Sequence, residues 1–373
     1  MMDLHEKAEE QRFRSEARDW LAEAIPESLR GSDRFEDRLA ADRLLAERGF
    51  LGFTWPVEFG GAGASPALAA ILDEERARIG IPTSGSPSRF GVNLLGPTLM
   101  RHGTIEQQRA FLPPILRAEQ IWCQGFSEPE AGSDLANVQC TLTDRGDHLA
   151  LDGSKIWTTQ AHEADWCFAL VRSDLEAPRH RNLSYVLVEM NRPGIEIQPL
   201  VQLTGAAEFT QVFFDDVKIE VGNVVGAPGE GWRIAMTTLS AERTYSQLSR
   251  YSQYVRQLER LAGLVDVADG GALEELGRIR AHLTGVRNLS LKIASMATAG
   301  DDVGTLASVT KLWWSTTHQR LVDLGYRTAV ARGTDEDYWY RLWLEARGET
   351  IYAGASQIQR NIIAERRLGL PRS

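Results

Sequence analysis

The amino-acid sequence predicts an α+β fold with an N-terminal helical domain, a central antiparallel β-domain and a C-terminal four-helix bundle. Apolar residues recur with helical spacing up to about Gln120, form short strand-like runs from about Ala136 to Val225, and return to helical spacing from Glu230. A chain of 373 residues also suits two or three domains better than one. The domain boundaries that we expect are 1–120, 121–228 and 229–373.

Apolar spacing and end signals indicate the N-terminal helices. The first helical run passes through Trp20 and ends before Pro26, which cannot continue a helix. Thr104 and Gln107 have the spacing of a capping box, which predicts a helix that starts there and precedes Pro113-Pro114. Further helices are expected at residues 35–49 and 66–79.

Short apolar runs separated by turn residues indicate the central strands. The turns include Asp152-Gly153, and the acidic pair Asp215-Asp216 is interpreted as a solvated turn after a strand. This spacing is typical of a small antiparallel sandwich or barrel. The runs that we assign to strands are Leu149–Leu151, Trp166–Val171, Tyr185–Met190, Ile195–Leu200 and Val212–Phe214.

The C-terminal part is predicted to contain four long amphipathic helices that pack as an antiparallel bundle. A helix–strand–helix domain order with one central β-domain is uncommon, so the order itself narrows the choice of fold. The four segments are expected at about 231–263, 271–299, 303–330 and 337–365.

Glu242 is a candidate general base on the first bundle helix. Ala235, Leu239 and Glu242 are spaced i, i+4 and i+7, so they share a helix face that is otherwise apolar. A half-buried carboxylate has a raised pKa, which suits proton abstraction near neutral pH. The alternative is that Glu242 pairs with an arginine of a neighbouring helix, and the spacing alone leaves both interpretations open.

Two polar stretches are candidates for holding a cofactor. The first, GFSEPEAGSD at 125–134, offers backbone N–H groups and hydroxyls, which suit a phosphate or the polar edge of a heterocycle. The second, DGSKIWTTQ at 152–160, places the large Trp157 beside the hydroxyls of Thr158 and Thr159. A flat cofactor needs both an apolar wall and hydrogen-bond donors. The alternative is a turn followed by an edge strand with a tryptophan in the core.

Composition and missing motifs exclude several classes of protein. The net charge is −10 and the basic residues are scattered among acids, which argues against a nucleic-acid surface. No GxGxxG, GxSxG or P-loop motif occurs. No apolar run approaches the roughly 18 residues of a membrane span, and the charged N-terminus does not resemble a signal peptide. Three cysteines without metal-binding spacing indicate free thiols, no metal site and a cytoplasmic protein.

Four stretches of the sequence carry a resemblance to a known family. They are WPVEFGGAG at 55–63, WCQGFSEPEAGSDLA at 122–136, DGSKIWTT at 152–159 and QIQRNIIAERRLGLP at 357–371. The second stretch, followed at the right distance by the third, is a specific combination. Together they resemble the acyl-CoA dehydrogenase family, and the resemblance covers nearly the whole chain. VFFDDV at 212–217 also resembles a strand of that family.

The resemblance implies that FAD binds between the β-domain and the bundle. By match to the family motifs, Gln124, Phe126 and Ser127 lie along the flavin ring edge, Trp157 packs against the ring, and the Thr159 hydroxyl donates near flavin N5. The resemblance also assigns two residues to parts of the ligands away from the flavin ring. Ser133 lies near the pyrophosphate or the thioester chain, and Gln357 reaches the adenosine part, commonly in a tetramer contact.

The resemblance also bears on the catalytic base. Many relatives carry the catalytic glutamate in a C-terminal stretch like YEGT, but here the corresponding residue is Ala353, which cannot accept a proton. A minority branch carries the base on the first bundle helix just before an arginine, and Glu242-Arg243 matches that arrangement. Ala353 and Arg243 would then contact substrate, with the Ala353 backbone N–H polarising the thioester carbonyl.

The implied activity is α,β-dehydrogenation of an acyl-CoA thioester, with electrons passed to an electron-transfer flavoprotein. The adenine-side motifs of many relatives are missing at about 250–270 and 322–333, and the chain is more similar to a bacterial branch that includes steroid side-chain enzymes. The resemblance implies a homotetramer, or a heterotetramer with a second dehydrogenase chain. Two alternatives stay open: a non-catalytic partner subunit, and a dehydrogenase or oxidase of carrier-protein thioesters.

Overall fold

The protein forms two compact units in a computed structural model. The first unit comprises the chain up to Asp33, the segment Ala64–Gly85 and the chain from Arg243 onward. The second comprises Arg34–Gly63 and Ser86–Glu242. The three-domain division made from the sequence stays a prediction. The described residues are 6–298, 301, 303 and 305–371, and within them the side chains of 242–249, 294, 297 and 298 lie outside the description.

The N-terminal helices form where apolar spacing and caps predict them. Thr104 Oγ1 accepts from the Gln107 amide at 3.2 Å and Gln107 Oε1 accepts from the Thr104 amide at 3.0 Å, which confirms the capping box. Contrary to the prediction, this helix continues through Pro113-Pro114 to Leu116. The prolines supply no N–H to the helix, but their carbonyls accept the amides of Arg117 and Glu119 at 3.1 and 2.9 Å, so hydrogen bonding continues past them. The helices are α1 (Ala8–Ala24), α2 (Phe35–Glu47), α3 (Pro66–Arg78), α4 (Gly96–His102) and α5 (Ile105–Leu116).

The predicted strands are present in the second unit, some of them longer than expected. The runs at Leu149 and Val212 are parts of eleven-residue strands, and three short strands were not predicted. The strands are β1 (Trp122–Gly125), β2 (Thr141–Asp144), β3 (Leu149–Thr159), β4 (Trp166–Arg172), β5 (Leu183–Glu189), β6 (Ile195–Leu200), β7 (Phe209–Ile219) and β8 (Val224–Val225).

The strands form one mainly antiparallel sheet in the order β6-β7-β3-β2-β4-β5-β8, and β1 pairs in parallel with β4. Alternate residues of β4 and β5 belong to two separate apolar clusters, so both faces of the sheet are covered. The prediction that Asp215-Asp216 forms a solvated turn after a strand is wrong. The pair is a bulge within β7, where two residues face the single Asp152 of β3 and the Asp216 amide donates to Asp152 Oδ1 at 2.9 Å.

The C-terminal helices confirm the predicted bundle, with one correction. The predicted segment at 337–365 is two helices separated by residues 349–355, because Ala353 and Gly354 adopt left-handed backbone angles that a helix cannot contain. Among the described residues, no helix has both the length and the apolar character to cross a membrane. The helices are α6 (Gly231–Ala262), α7 (Gly270–Thr298), α8 (Leu306–Arg332), α9 (Glu336–Gly348) and α10 (Ser356–Arg366).

Ion pairs tie the N-terminal helices of the first unit to its bundle. Glu75 on α3 is 3% exposed at its side chain, and its carboxylate pairs with arginines at 2.8–2.9 Å. Beside it, Glu74 accepts from Arg287 of α7 at 2.7 Å. Because α3 contributes both carboxylates, it joins α1 to α7. The arginines around Glu75 are Arg14, Arg18 and Arg78.

Candidate functional site

The loop at 125–134 begins where β1 passes through the middle of the second unit. A Cβ added at Gly125 would lie 2.8 Å from Cys167 Sγ and 3.4 Å from Lys155 Cγ, so only glycine lets the strand pass this close to its neighbours. Two residues later, the Ser127 carbonyl accepts from the Ile156 amide at 2.9 Å. The loop is therefore joined to β3, and the two predicted cofactor stretches lie side by side.

The loop folds back on itself in a tight turn. The Glu128 amide donates to the Ala131 carbonyl at 3.0 Å, and the Ala131 amide donates to the Glu128 carbonyl at 3.1 Å. Pro129 between them fixes one backbone angle of the turn. Ser133 follows on the exposed side of the loop. The small residues of this stretch thus form a turn whose backbone is fixed and whose outer side is open to a ligand.

A buried ion pair holds this loop against β3, and sequence reasoning missed it. Lys155 is 0% exposed, and its Nζ donates to Glu128 Oε1 and to the Leu170 carbonyl, both at 2.6 Å. A third bond reaches the Phe126 carbonyl at 3.3 Å. A buried lysine needs such partners, because an unpaired buried charge is very costly. The available signal was weak, because Lys155 lies in a strand that contains other polar residues and Glu128 is one of several acids in its loop.

Glu128 is fully paired by the same arrangement. Besides Lys155, its carboxylate accepts from the amides of Gln139 and Cys140, the latter at 3.0 Å. Burial alone would raise the pKa of Glu128, but the Lys155 charge and these hydrogen bonds outweigh burial and hold the pKa below its ordinary value. The carboxylate is therefore ionised at neutral pH and works as a structural anchor.

The predicted residues Gln124, Phe126 and Ser127 do not all face outward. The Phe126 ring packs edge-on in the core against Phe168 and Tyr185, with centroids 5.9 and 6.0 Å apart. Any contact of Phe126 with a cofactor must therefore come from its backbone. Gln124 and Ser127 are half-buried, and among the described residues the Ser127 amide has no hydrogen-bond acceptor. That amide is a free donor at the edge of the loop.

Trp157 is exposed and conformationally strained. It lies in a β-bulge, where Ile156 and Trp157 of β3 face the single Gln211 of β7. Its φ is +60°, an angle uncommon for a bulky residue, and its side chain is 57% exposed. The only described ring against it is Phe209, edge-on at 6.0 Å. The alternative of a core tryptophan on an edge strand is wrong, because the indole is exposed and β3 lies between β2 and β7.

The hydroxyls after Trp157 point in different directions. Thr158 is buried, and its Oγ1 has no hydrogen-bond partner among the described residues. Thr159, the last residue of β3, is half-exposed. An exposed indole, a free amide at Ser127 and a half-exposed hydroxyl fit a flat heterocycle that has hydrogen-bonding edges. These residues of the second unit therefore fit the isoalloxazine part of FAD.

Behind this site, a chain of hydroxyls fixes the start of α6. Thr98 Oγ1 and Thr238 Oγ1 are 2.8 Å apart, and Thr238 lies 3.3 Å from the Tyr185 hydroxyl. Ala235 on the same helix face is fully buried. The backbone of α6 continues through Glu242 and Arg243, but their side chains lie outside the described residues. The prediction that Glu242 points inward therefore stays a prediction.

The remaining predicted residues lie in the first unit. Ala353 has φ +51° and Gly354 has φ +88°, so the turn between α9 and α10 is left-handed. Gln357 is exposed on the first turn of α10, whereas Gln359 is buried beneath the turn. Gln359 Nε2 donates to the carbonyls of Ala353 and Gly354 at 3.4 and 3.3 Å. Sequence reasoning missed Gln359, which orients the turn that carries Ala353.

Known proteins are similar to this chain in sequence and in fold. The descriptions "Acyl-CoA dehydrogenase, N-terminal domain", "middle domain" and "C-terminal domain" match residues 7–119, 123–217 and 229–368. The acyl-CoA dehydrogenase IpdE1 of Mycolicibacterium smegmatis is 42% identical over 98% of both chains. Among solved structures, one named Tcur3481-Tcur3483 steroid ACAD has a TM-score of 0.88 at 30% identity, covering 100% of both chains. The ChsE4-ChsE5 complex from Mycobacterium tuberculosis has a TM-score of 0.86 at 25% identity, also covering 100% of both chains.

Proposed function

The chain belongs to the acyl-CoA dehydrogenase family of flavoprotein oxidoreductases, and on that premise we propose that it forms the α,β double bond of an acyl-CoA thioester with Glu242 as the base. The observation that carries the proposal is the strained, exposed Trp157 beside a loop that the Lys155–Glu128 pair fixes in place. Backbone strain of this kind persists where the surroundings impose it and often marks a functional site.

The residues of the second unit would hold the cofactor. FAD held there would supply the acceptor for the β-hydrogen as a hydride, which is redox chemistry that no side chain can supply. Trp157 provides an apolar wall that excludes water, and the Ser127 amide and the Thr159 hydroxyl donate to the polar edge of the ring. Gln124 and the Phe126 backbone complete that edge, Ser133 binds the pyrophosphate or the thioester chain, and Gln357 binds the adenosine part.

Glu242 is proposed to remove the α-proton. It follows Ala235 and Thr238 at helical spacing on a face that is buried one and two turns earlier, so its position suits a carboxylate with a raised pKa. The other family position for the base is occupied by Ala353, which leaves Glu242 as the acid that fits a family motif. Arg243, which follows it, is proposed to contact the substrate.

Ala353 is proposed to act through its backbone. The α-proton of a thioester is only weakly acidic, so the carbonyl oxygen must be polarised as the proton leaves. Among the described residues, the Ala353 amide donates no hydrogen bond, so it is available to the carbonyl oxygen. One such donor typically contributes about 3 kcal/mol to lowering the barrier. A backbone donor does not depend on the side chain, which makes alanine compatible with activity.

The names of similar proteins support a bulky substrate and a second chain. One is called a steroid ACAD, and two are named as pairs of chains. We therefore propose a CoA thioester of a steroid-derived acid as substrate, a heterotetramer with a second dehydrogenase chain in preference to a homotetramer, and an electron-transfer flavoprotein as electron acceptor. A purely structural partner subunit would have no use for Glu242, which is why we favour a catalytic chain.

The first test is an anaerobic titration of the flavin-loaded protein, co-expressed with its partner chain where loading requires it. Butyryl-CoA, octanoyl-CoA and the CoA thioester of a steroid carboxylic acid are added in turn, and bleaching of the visible flavin band is followed. We expect the steroid thioester to bleach the flavin fastest. A loaded acyl carrier protein is added last, and bleaching by it alone would reassign the substrate. A colourless protein would support the partner-subunit alternative.

The second test is Glu242→Gln. Loss of a general base typically slows the chemical step by roughly 10²–10⁴-fold, so the variant should keep its flavin but bleach that much more slowly. Glu259→Gln changes an exposed acid further along the same helix and serves as the matched control, with wild-type rates expected. Bleaching of the Glu242→Gln protein at the wild-type rate would show that another group is the base.

A further inference from the structure

A buried ionic cluster lies beneath the turn that separates α9 from α10. Glu349 ends α9 and is 5% exposed. Its Oε1 accepts from the Tyr254 hydroxyl at 2.9 Å, and its Oε2 lies 2.8 Å from His318 Nδ1. The Glu349 carbonyl accepts from Lys311 Nζ at 2.8 Å. Both the side chain and the backbone of this residue are therefore fixed by charged or polar partners.

The partners come from two other helices of the same unit. Tyr254 is on α6, and its ring stacks on His318 of α8 with centroids 3.8 Å apart. His318 Nε2 lies 2.8 Å from the side-chain oxygen of Gln257, one turn further along α6. Burial and the Glu349 charge raise the pKa of Tyr254, so its hydroxyl keeps the proton that it donates. Glu349 thus joins α6, α8 and α9 at one point.

Arg250 of α6 holds the same turn at a second residue, Tyr352. Its guanidinium lies over the Trp314 ring at 4.3 Å and over the Tyr352 ring at 5.5 Å, and its Nη1 donates to the Tyr352 hydroxyl at 3.3 Å. The same Nη1 is 3.8 Å from Glu349 Oε1. Glu349 and Tyr352 are three residues apart, so the cluster holds the turn at two points just before the left-handed residues Ala353 and Gly354.

Ala353 follows directly, in a conformation that needs such support. A non-glycine residue with φ +51° stays in that conformation only where its surroundings impose it. The Ala353 carbonyl turns inward and accepts from Gln359, while its amide donates no hydrogen bond among the described residues. The cluster therefore sets the direction of one backbone amide.

We propose that Glu349 is a positioning residue, which through this cluster holds the Ala353 amide in the orientation that polarises the substrate carbonyl. The inference rests on the proposed function of Ala353. An apolar core would stabilise this point of the bundle at least as well as buried charges do. Ion pairs and hydrogen bonds are directional, however, and they fix the orientation of a segment where apolar packing fixes only its burial.

The test is Glu349→Gln, which keeps the size of the side chain and removes its charge. Exchange of the α-protons of the acyl-CoA with D₂O is measured by mass spectrometry, because it depends on the base and on carbonyl polarisation but not on hydride transfer. The probes are butyryl-CoA, octanoyl-CoA and the CoA thioester of a steroid carboxylic acid. A misplacement of about 1 Å can cost up to roughly 10²-fold, so we expect exchange about 10- to 100-fold slower with flavin content unchanged.

Glu75→Gln is the matched control. It also removes a buried, arginine-paired carboxylate from the same unit, but Glu75 lies on α3, and among the described contacts none links its arginine partners to the turn. We expect α-proton exchange within about twofold of wild type. Tyr254→Phe removes one donor to Glu349 without leaving a charge unpaired, and should slow exchange in the same direction but less. It replaces Glu349→Gln as the test if that variant does not fold.

Amide hydrogen exchange of the peptide that spans residues 349–356 is followed in parallel. Glu349→Gln should raise its exchange rate while Glu75→Gln should not. The proposal is overturned if Glu349→Gln leaves both exchange rates at wild-type values, or if Glu75→Gln slows α-proton exchange equally. If the wild-type protein exchanges the α-protons of none of the probes, the proposed function fails. The peptide measurement still decides, in that case, whether Glu349 holds the turn.

Discussion

Replacing Lys155 by methionine should destabilise the second unit strongly. Methionine fills a similar volume but removes the ammonium group, which is fully buried and bonded to Glu128 and to the carbonyls of Phe126 and Leu170. The substitution therefore leaves a buried carboxylate without its counter-charge and a buried carbonyl without a donor. Both consequences act on the loop that we assign to the cofactor.

The size of the effect follows from the geometry. At the observed Nζ–Oε1 distance of 2.6 Å, the attraction between Lys155 and Glu128 is about 6 kcal/mol with an effective dielectric constant of about 20. The net loss of stability is smaller than this attraction, because the variant has no ammonium group that must be taken out of water on folding. Removing one partner of a buried ion pair typically costs about 3–5 kcal/mol, and we expect Lys155→Met to fall in that range.

Urea unfolding followed by tryptophan fluorescence measures this cost as a change of midpoint at constant slope. Lys218→Met changes an exposed lysine of β7 and should cost less than about 0.5 kcal/mol. The double variant Lys155→Met, Glu128→Gln removes both charges and should be more stable than Lys155→Met alone. A cost below about 1 kcal/mol for Lys155→Met, or a double variant that is no more stable, would refute this account of the pair.

The cost should also depend on pH. In the wild-type protein the pKa of Glu128 lies below its ordinary value of 4.5, so the pair contributes stability above pH 4.5 that is lost as the pH falls through the lowered pKa. In Lys155→Met burial is no longer opposed by the ammonium group, so the pKa of Glu128 rises. That variant then loses stability as the pH rises through the raised pKa. The gap between the two proteins should therefore be widest near neutral pH and should narrow below pH 4.5.

Two further predictions concern groups outside the site. Burial raises the pKa of Cys140 to about 12 and also raises the pKa of Cys123, and Cys167 is buried too. A disulfide reagent at pH 8 should therefore label none of the three thiols until the protein is unfolded. Fast labelling of the native protein would contradict this prediction. Burial alone would raise the pKa of Glu75, but its three arginine partners lower the pKa to about 2. The contribution of Glu75 to the free energy of unfolding is therefore present above pH 4.5 and is lost as the pH falls towards 2. Glu75→Gln should cost about 2 kcal/mol at pH 7 and lose less stability between pH 4.5 and 2 than the wild type, as urea midpoints across that range will show.

The long helices could be predicted from the sequence because their apolar spacing is uninterrupted. The segment expected at 231–263 is α6 at Gly231–Ala262, and the one expected at 271–299 is α7 at Gly270–Thr298. In helices of this length, burial of one apolar face decides the structure, and that face is visible in the sequence. The proposed role of Glu242 on α6 was predicted only from its position along the helix, because helical spacing places it on the same face as Ala235 and Leu239.

The break at 349–355 could not be predicted from spacing. Glu349 looks like one more surface acid on an amphipathic helix, and its buried partners Tyr254 and His318 lie at least 31 residues away along the chain. Gly354 was the local signal, but a glycine inside a helical pattern is often tolerated. The residues that pack around the break are therefore distant in sequence, and apolar spacing along this segment carries no sign of them.

A β-bulge determines which side of β3 Trp157 faces. With strict alternation, Trp157 would face the same side as Lys155, which is fully buried. The bulge at Ile156 and Trp157 shifts the register by one residue, so Thr158 is buried and Trp157 is exposed. The residues alone left open whether Trp157 was a core tryptophan or the wall of a cofactor site, and the resemblance to a family was needed to assign it to the site.

Trp157 and Ala353 share a design, although they belong to different units. Each is a non-glycine residue with left-handed backbone angles, and each lies next to a buried ionic group, Lys155–Glu128 in one unit and the Glu349 cluster in the other. Strain is retained only where the surroundings over-determine it, and buried charges with several hydrogen bonds are the strongest directional restraint available. In both units, the buried charged residues hold a neighbouring residue in a strained backbone conformation. They thereby fix the direction of its exposed indole or amide group as well as its position. Substitutions that remove the charge should therefore reduce activity more than those that remove equal stability elsewhere in the same unit.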